Sequence, residues 1–164
     1  ILGTYRHNPR NAFRDTDIRM AGVPNSLGVR HLVVIATSST ASASELIVNG
    51  LKPYLPVTVV GARTYGKQVG QYAIPFCDKV LAAVSFSIRN VNGDGDYYDG
   101  LPADCPAPDD LDHPLGDPSE ASLRVSLSFL ATGTCGDADA PQRLRQSPSP
   151  HRPTTGLDAV ILAN

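Results

Sequence analysis

The apolar positions of the chain fall into short runs that are separated by polar turns. Residues 32–36 and 57–60 are continuous runs of mostly β-branched side chains, which are typical of strands buried on both faces. Between them, apolar side chains recur at helical spacing over residues 42–51, and Pro53 follows. The order strand, helix, strand predicts a βαβ unit with parallel strands, and hence an α/β fold with a parallel-rich sheet.

Later segments predict further elements and a division of the chain. Residues 71–76 and 80–88 have the pattern of strands, and 119–130 that of an amphipathic helix. These elements place the main body at residues 31–135. Residues 1–30 are polar and rich in chain breakers, so they predict an irregular amino-terminal segment of the core. Residues 136–164 are rich in Pro, Ser and Arg, which predicts a disordered tail.

Composition excludes several classes of function. The 164 residues carry a formal charge of -2, so the chain lacks the excess of positive charge that is typical of nucleic-acid-binding proteins. The apolar runs are too short to span a bilayer. The chain has no signal peptide and begins at Ile1, so it indicates no compartment. The three cysteines, Cys77, Cys105 and Cys135, match no zinc spacing; they allow one disulfide, and Cys77–Cys105 is the pair we single out.

Candidate chemistry lies in two polar segments on either side of the second predicted strand. The first is T-A-S-A-S-E (residues 40–45), and the second is T-Y-G-K-Q-V-G-Q (residues 64–71). Lys67 follows Ser42 by 25 positions, and Gln71 follows Lys67 by four. A serine hydroxyl becomes a nucleophile when a neighbouring base takes its proton, and an uncharged lysine can be that base. At a helix amino terminus the helix dipole would stabilise negative charge on Ser42, and the Ala43 N–H would be an oxyanion donor.

Each segment also has a structural or competing interpretation. Ser42 and Glu45 fit a helix capping box, which is compatible with catalysis, and Ser44 is the nearest competitor as nucleophile. Residues 61–67 match the start of a phosphate-binding loop, G-x-x-x-x-G-K. Gln68 stands where that loop needs Ser or Thr, and no helix is predicted after it, so we expect no bound nucleotide.

Two acidic segments invite a comparison with cation sites. Asn90-x-Asn92-x-Asp94-Gly95 is like the start of a calcium loop, but Leu101 stands where that loop needs Glu. We therefore predict a hairpin or loop there. A second acidic loop, with Asp109, Asp110, Asp112 and His113, is predicted to be solvated. We expect neither a catalytic metal nor a cofactor.

The serine and lysine segments resemble those of the C-terminal processing (tail-specific) serine proteases, peptidase family S41. The resemblance extends over residues 33–135 and includes G-L-P-A-D (residues 100–104), which is close to the stretch that ends the core of such proteases. It implies a crotonase/ClpP-like fold, Ser42 as nucleophile, Lys67 as base and Gln71 as its neutral orienting partner. It also implies cleavage of protein or peptide substrates near apolar carboxyl termini, outside the cytoplasm.

The resemblance implies, too, that the chain is the carboxyl-terminal part of a longer protease. No PDZ-like domain is visible in the sequence, nor the Gly-rich turn that supplies a second oxyanion donor in relatives, so the isolated chain is expected to lack full activity. The alternative is a non-catalytic domain of the same fold that binds an apolar ligand or peptide, as in retinoid-binding relatives. The presence of Ser42, Lys67 and Gln71 together favours the protease.

Overall fold

A computed structural model describes residues 1–136 and the backbone of residues 160–163. The elements of that part of the chain are β1 (Gly3–Arg6), a 3-10 helix (Pro9–Arg14), β2 (Thr16–Ile18), β3 (Leu32–Ala36), α1 (Ala43–Leu51), β4 (Val57–Gly61), β5 (Val69–Phe76), β6 (Lys79–Arg89), β7 (Cys105–Pro106), α2 (Ala121–Thr132) and β8 (Val160–Ala163). The six central elements that the sequence predicts are all present, with bounds shifted by one or two residues. Neither α-helix has the length and apolar character needed to cross a membrane.

The small sheet is parallel, in the order β3-β4-β7, and forms the core with the two helices. Val59 and Val60 are adjacent in β4 and both fully buried, because successive strand residues point to opposite faces. Val59 packs in one cluster with Val48 of α1, and Val60 in another with Val125 of α2. The helices therefore cover opposite faces of β4. The predicted βαβ unit is confirmed.

β3 is less buried than its sequence predicts. It is the outer strand of the small sheet, and Ile35 is 45% exposed. A continuous apolar run does not distinguish an outer strand, which has a neighbour on one side only, from a central one. The prediction of burial on both faces holds for β4 and is wrong for β3.

The large sheet is antiparallel, so the predicted parallel-rich arrangement is not confirmed. Its order is β2-β1-β6-β5, and β8 pairs with β6 beside Lys79–Ala82. β5 and β6 are joined by a turn of two residues, Cys77 and Asp78, which is long enough only for an antiparallel hairpin. Among the described strands, parallel pairing occurs only in the small sheet, where α1 provides the longer connection between β3 and β4.

The amino-terminal end of the chain differs from its predicted description. Residues 3–18 are not irregular, because β1 pairs with β2 and with the distant β6, at Thr4 opposite Arg89. Such non-local pairing has no signal within a short window of sequence. The predicted disordered tail falls largely outside the described residues. Within it, the structure gives residue 136 and the backbone of β8.

The disulfide joins Cys105 to Cys135, and Cys77 is a free, exposed thiol. The predicted Cys77–Cys105 pair is therefore wrong. Cys77 lies in the turn between β5 and β6, in the large sheet, whereas Cys105 lies in the small sheet. Because α2 packs over β3 and β4, the residues after it return to β7 and bring Cys135 to Cys105.

Candidate active site

Ser42 lies immediately before α1 in a strained backbone conformation. Its φ of 56° and ψ of -115° put a residue with a side chain in the left-handed half of conformational space. Strain of this kind persists only where the surroundings enforce it, and it clusters at active sites. The side chain is half-buried, and the first N–H groups of α1, beginning with that of Ala43, follow it directly. Ser42 therefore occupies the predicted position at a helix amino terminus.

The buried carboxylate of Glu45 connects this turn to the lysine segment. Its Oε2 accepts from the Ser42 N–H at 2.9 Å and from the Lys67 N–H at 2.8 Å. Its Oε1 accepts from the Gly66 N–H at 2.7 Å and from the Thr64 hydroxyl. Both backbone nitrogens of the predicted dyad thus lie within 3 Å of one oxygen atom. The Ser42 turn and the Lys67 loop are consequently neighbours in the fold.

The lysine loop is fixed on its other side by backbone contacts. Gly66 has a φ of +94°, and a Cβ there would lie 2.3 Å from the Tyr98 carbonyl oxygen, so only glycine fits. The Thr64 hydroxyl accepts from the Leu101 N–H at 2.8 Å, which leaves its proton for Glu45. After Lys67 the chain enters β5. The phosphate-loop alternative therefore lacks the helix amino terminus that it requires.

Lys67 and Gln71 are both close to the start of the β5–β6 hairpin. Lys67 is half-buried, whereas Gln71 is exposed and its Nε2 donates to the Ala82 carbonyl at 2.9 Å across the hairpin. A bulge between Gly70 and Gln71 shifts the register at this point. Among the described residues no hydrogen bond joins Gln71 to Lys67. The role of Gln71 as the lysine's orienting partner therefore stays a prediction.

Two further polar side chains near the site were not predicted from the sequence to be functional. Burial, and then the negative charge of Glu45, raise the pKa of Tyr97 to about 12, so its phenol stays protonated. Gln68, next to Lys67, is 1% exposed, and neither polar atom of its amide has a hydrogen-bond partner within the described residues. Neither signal could be read from sequence, because both depend on segments that pack together only in the fold.

Elsewhere, the polar clusters are satisfied by their own chain. The Asn90 Oδ1 accepts from the N–H groups of Asn92 and Asp94, as expected for a turn. The His7 ring contacts Asp15 at 3.1 Å and the Tyr72 hydroxyl at 3.0 Å. The described residues contain no group of three or more His, Cys, Asp or Glu side chains that could hold a metal ion.

Comparison with known proteins defines the class to which this fold and site belong. The sequence profile of peptidase family S41 matches residues 5–96, more than half of the chain. The chain therefore belongs to peptidase family S41. No curated protein sequence matches it.

Two solved structures are similar to this one. A Bacteroides fragilis NCTC 9343 protein assigned to the S41 proteases superimposes with a TM-score of 0.72 at 22% identity, over 81% of this chain and 37% of that protein. At this identity the likeness concerns the fold. The photosystem II D1 C-terminal processing protease matches with a TM-score of 0.39 at 29% identity, over 44% of this chain and 19% of its own. This chain thus spans little more than a third of the length of the better-matched relative.

Proposed function

We propose that this chain is the carboxyl-terminal part of the catalytic core of a serine endopeptidase that uses a Ser-Lys dyad. Membership of family S41 supports a peptidase role. The observation that carries the dyad is the single Glu45 oxygen that accepts from the backbone N–H groups of both Ser42 and Lys67. The backbones of two residues of the predicted chemistry, which are distant in sequence, thus share one acceptor beside the start of α1.

The proposed reaction uses these groups in two stages. Ser42 Oγ attacks the scissile carbonyl carbon while the uncharged Lys67 amine accepts the hydroxyl proton. The N–H of Ala43 and the amino terminus of α1 stabilise the oxyanion. Lys67 then protonates the leaving amine as the peptide bond breaks, which leaves an acyl ester on Ser42. Lys67 then takes a proton from water, whose oxygen attacks the ester carbonyl carbon, and returns that proton to Ser42 Oγ as the acyl C–O bond breaks and the carboxylic acid product leaves.

The proposal extends to the protein's substrates and setting. By family membership we propose protein or peptide substrates that are cut near apolar carboxyl termini, in a periplasmic, secreted or envelope-attached enzyme. The crotonase/ClpP-like description of the core belongs to the same proposal. Because the chain spans only part of its solved relative, these activities are proposed for the longer protein that would contain it.

The test uses that longer protein, with an unstructured substrate that ends in apolar residues. We expect Ser42→Ala and Lys67→Ala each to lower the rate of cleavage by about a thousandfold or more, with folding retained as judged by thermal unfolding. Ser44→Ala is the matched control, since Ser44 is the exposed serine two positions away, and it should cut normally.

Two results would count against the proposal. Cleavage by Ser42→Ala at the rate of the parent would show that the dyad is wrongly assigned. Tight binding of an apolar ligand, with no turnover of any substrate tried, would instead support the non-catalytic binding domain.

A further inference from the structure

We infer that Glu45 is a positioning residue that holds the Ser42 turn and the Lys67 loop in the mutual orientation that the reaction needs. Its effect on turnover rests on the proposed function. Its effect on the two loops does not. Glu45 does not contact the reacting atoms in this role; it acts through the backbone of the two residues that do.

The hydrogen-bond pattern assigns the role. Three of the four groups that donate to the carboxylate come from residues 64–67, and one comes from Ser42. Three of the donors are backbone N–H groups, which can only donate, so both oxygens are acceptors. The carboxylate is also completely buried, and water cannot replace a lost bond without an opening of the loops.

A helix cap alone does not account for this arrangement. In a capping box the glutamate returns one bond to the residue before the helix, which here is the bond from Ser42. The bonds from Gly66, Lys67 and Thr64 are additional and contribute nothing to the start of α1. They fix the lysine loop to the nucleophile turn. A misplacement of about 1 Å between reacting groups can slow an enzyme by about a hundredfold, so this connection matters for rate.

Two substitutions of Glu45 remove its hydrogen-bond acceptors to different extents. Glu45→Met keeps the length of the side chain but removes both acceptor oxygens. Glu45→Gln keeps one oxygen, which can stay at the Oε2 position and retain the bonds from Ser42 and Lys67, while its NH2 group faces the Gly66 N–H. Glutamine should therefore rescue part of what methionine loses.

The matched control is Glu120→Met. Glu120 is also a nearly buried glutamate at a helix amino terminus, but within the described residues its carboxylate accepts only from the N–H groups of Ser122 and Leu123, in its own helix. Loss of the Glu120 cap should lower thermal stability without changing the positions of Ser42 and Lys67. Any fall in turnover that follows from general destabilisation would appear equally in this variant.

The experiment measures kcat and KM for the full-length protein at a temperature at which every variant is folded. Hydrogen exchange of the 64–67 segment is followed alongside by mass spectrometry. We expect Glu45→Met to lower kcat by about a hundredfold with KM within about threefold, and Glu45→Gln to fall between it and the parent. In Glu45→Gln, exchange of the 64–67 segment should be about tenfold faster, because the Gly66 N–H and the Thr64 hydroxyl both lose their acceptor at the Oε1 position. Glu120→Met should change neither kcat nor the hydrogen exchange of the 64–67 segment.

Each outcome decides the inference. A kcat in Glu45→Met within twofold of the parent, an equal loss of kcat in Glu120→Met, or unchanged exchange of the 64–67 segment in Glu45→Gln would overturn it. If Glu45→Met does not fold, the inference is tested by the kcat of Glu45→Gln and by hydrogen exchange in that variant. If the parent itself does not cut, the proposed function fails, and hydrogen exchange alone still tests whether Glu45 holds the loop.

Discussion

The two α-helices in the described part of the chain both begin with a buried glutamate, but the two carboxylates bind different partners. Each has a glutamate at its amino terminus, fully buried at Glu45 and 8% exposed at Glu120. Glu120 is the residue before α2, has an ordinary φ of -59°, and bonds to the first N–H groups of its own helix. Glu45 is inside α1, and the residue before that helix, Ser42, is the strained one.

The difference teaches where this fold concentrates strain. At α2 the capping group satisfies the helix and nothing else, and the disulfide from Cys105 to Cys135 holds the far end of the helix to the small sheet. At α1 most of the capping group's bonds go to a distant loop, while the backbone of Ser42 is kept in an unfavourable conformation. Strain that persists because surrounding bonds enforce it is typical of functional sites.

The largest expected effect is the loss of stability when each glutamate is truncated. Glu45→Ala leaves three backbone N–H groups and a hydroxyl in the interior without an acceptor. Each unsatisfied group costs about 1–3 kcal/mol, so we expect the free energy of unfolding to fall by about 3 kcal/mol or more. Glu120→Ala should cost about 1 kcal/mol, as for other helix caps. Urea denaturation of both variants checks this.

If the two truncations cost the same, the bonds from Glu45 to the lysine loop contribute nothing beyond an ordinary cap. The inferred difference between the two helix starts would then be wrong. If the free energy of unfolding falls by about 2 kcal/mol more in Glu45→Ala than in Glu120→Ala, the bonds to the lysine loop account for the excess.

Sequence was sufficient where the deciding pattern is local. The alternation of apolar residues predicted β5 and β6, and the helical spacing predicted α1 and α2. It failed for β1 and β2, whose pairing depends on the distant β6, and for the disulfide, whose partners meet only after α2 packs on the small sheet. Short strands and cysteine pairings are decided by the tertiary fold.

The same distinction between local patterns and tertiary contacts applies to the residues of the site. Ser42 at a helix start was predictable, because a capping sequence and a family spacing coincide there. The bridging role of Glu45 was not, because two of its distant partners are backbone N–H groups of Gly66 and Lys67, which have no signature in the residue type. The assignment of Gln71 to Lys67 remains a prediction, and the contact that the structure gives Gln71 is to Ala82.

The next effect concerns the strain at Ser42. Glycine accepts a φ of 56°, whereas alanine does not, so Ser42→Gly should be more stable than Ser42→Ala. Part of that gap comes from helix capping, for which glycine is also the better residue. The gap between Glu120→Gly and Glu120→Ala measures this capping difference together with the entropy cost of glycine, but without strain, since the backbone there is relaxed.

The entropy cost of glycine is common to both positions and cancels, so backbone strain should make the gap at Ser42 larger than that at Glu120 by about 1–3 kcal/mol. Thermal unfolding of the four variants measures both gaps. Equal gaps would show that the Ser42 turn is not strained.

The smallest effect lies at α2 and depends on pH. Burial acts to raise the pKa of Asp110, but hydrogen bonds from His113 and from the N–H groups of Asp112 and Ala121 outweigh it and hold that pKa below its ordinary value. The ionised form therefore stabilises the fold. Its contribution is complete above the unfolded pKa of about 4 and is lost as the pH falls through the lower folded value.

Asp110→Asn should accordingly lower the Tm at pH 7 by less than Glu120→Ala does, and this deficit should shrink as the pH is lowered below about 4. Asp109→Asn, which removes the same charge at the preceding position, is the control for general changes in net charge. A deficit that persists undiminished at low pH would show that Asp110 stabilises α2 by the shape of its side chain alone. In that case α2 would gain no pH-dependent stability from Asp110.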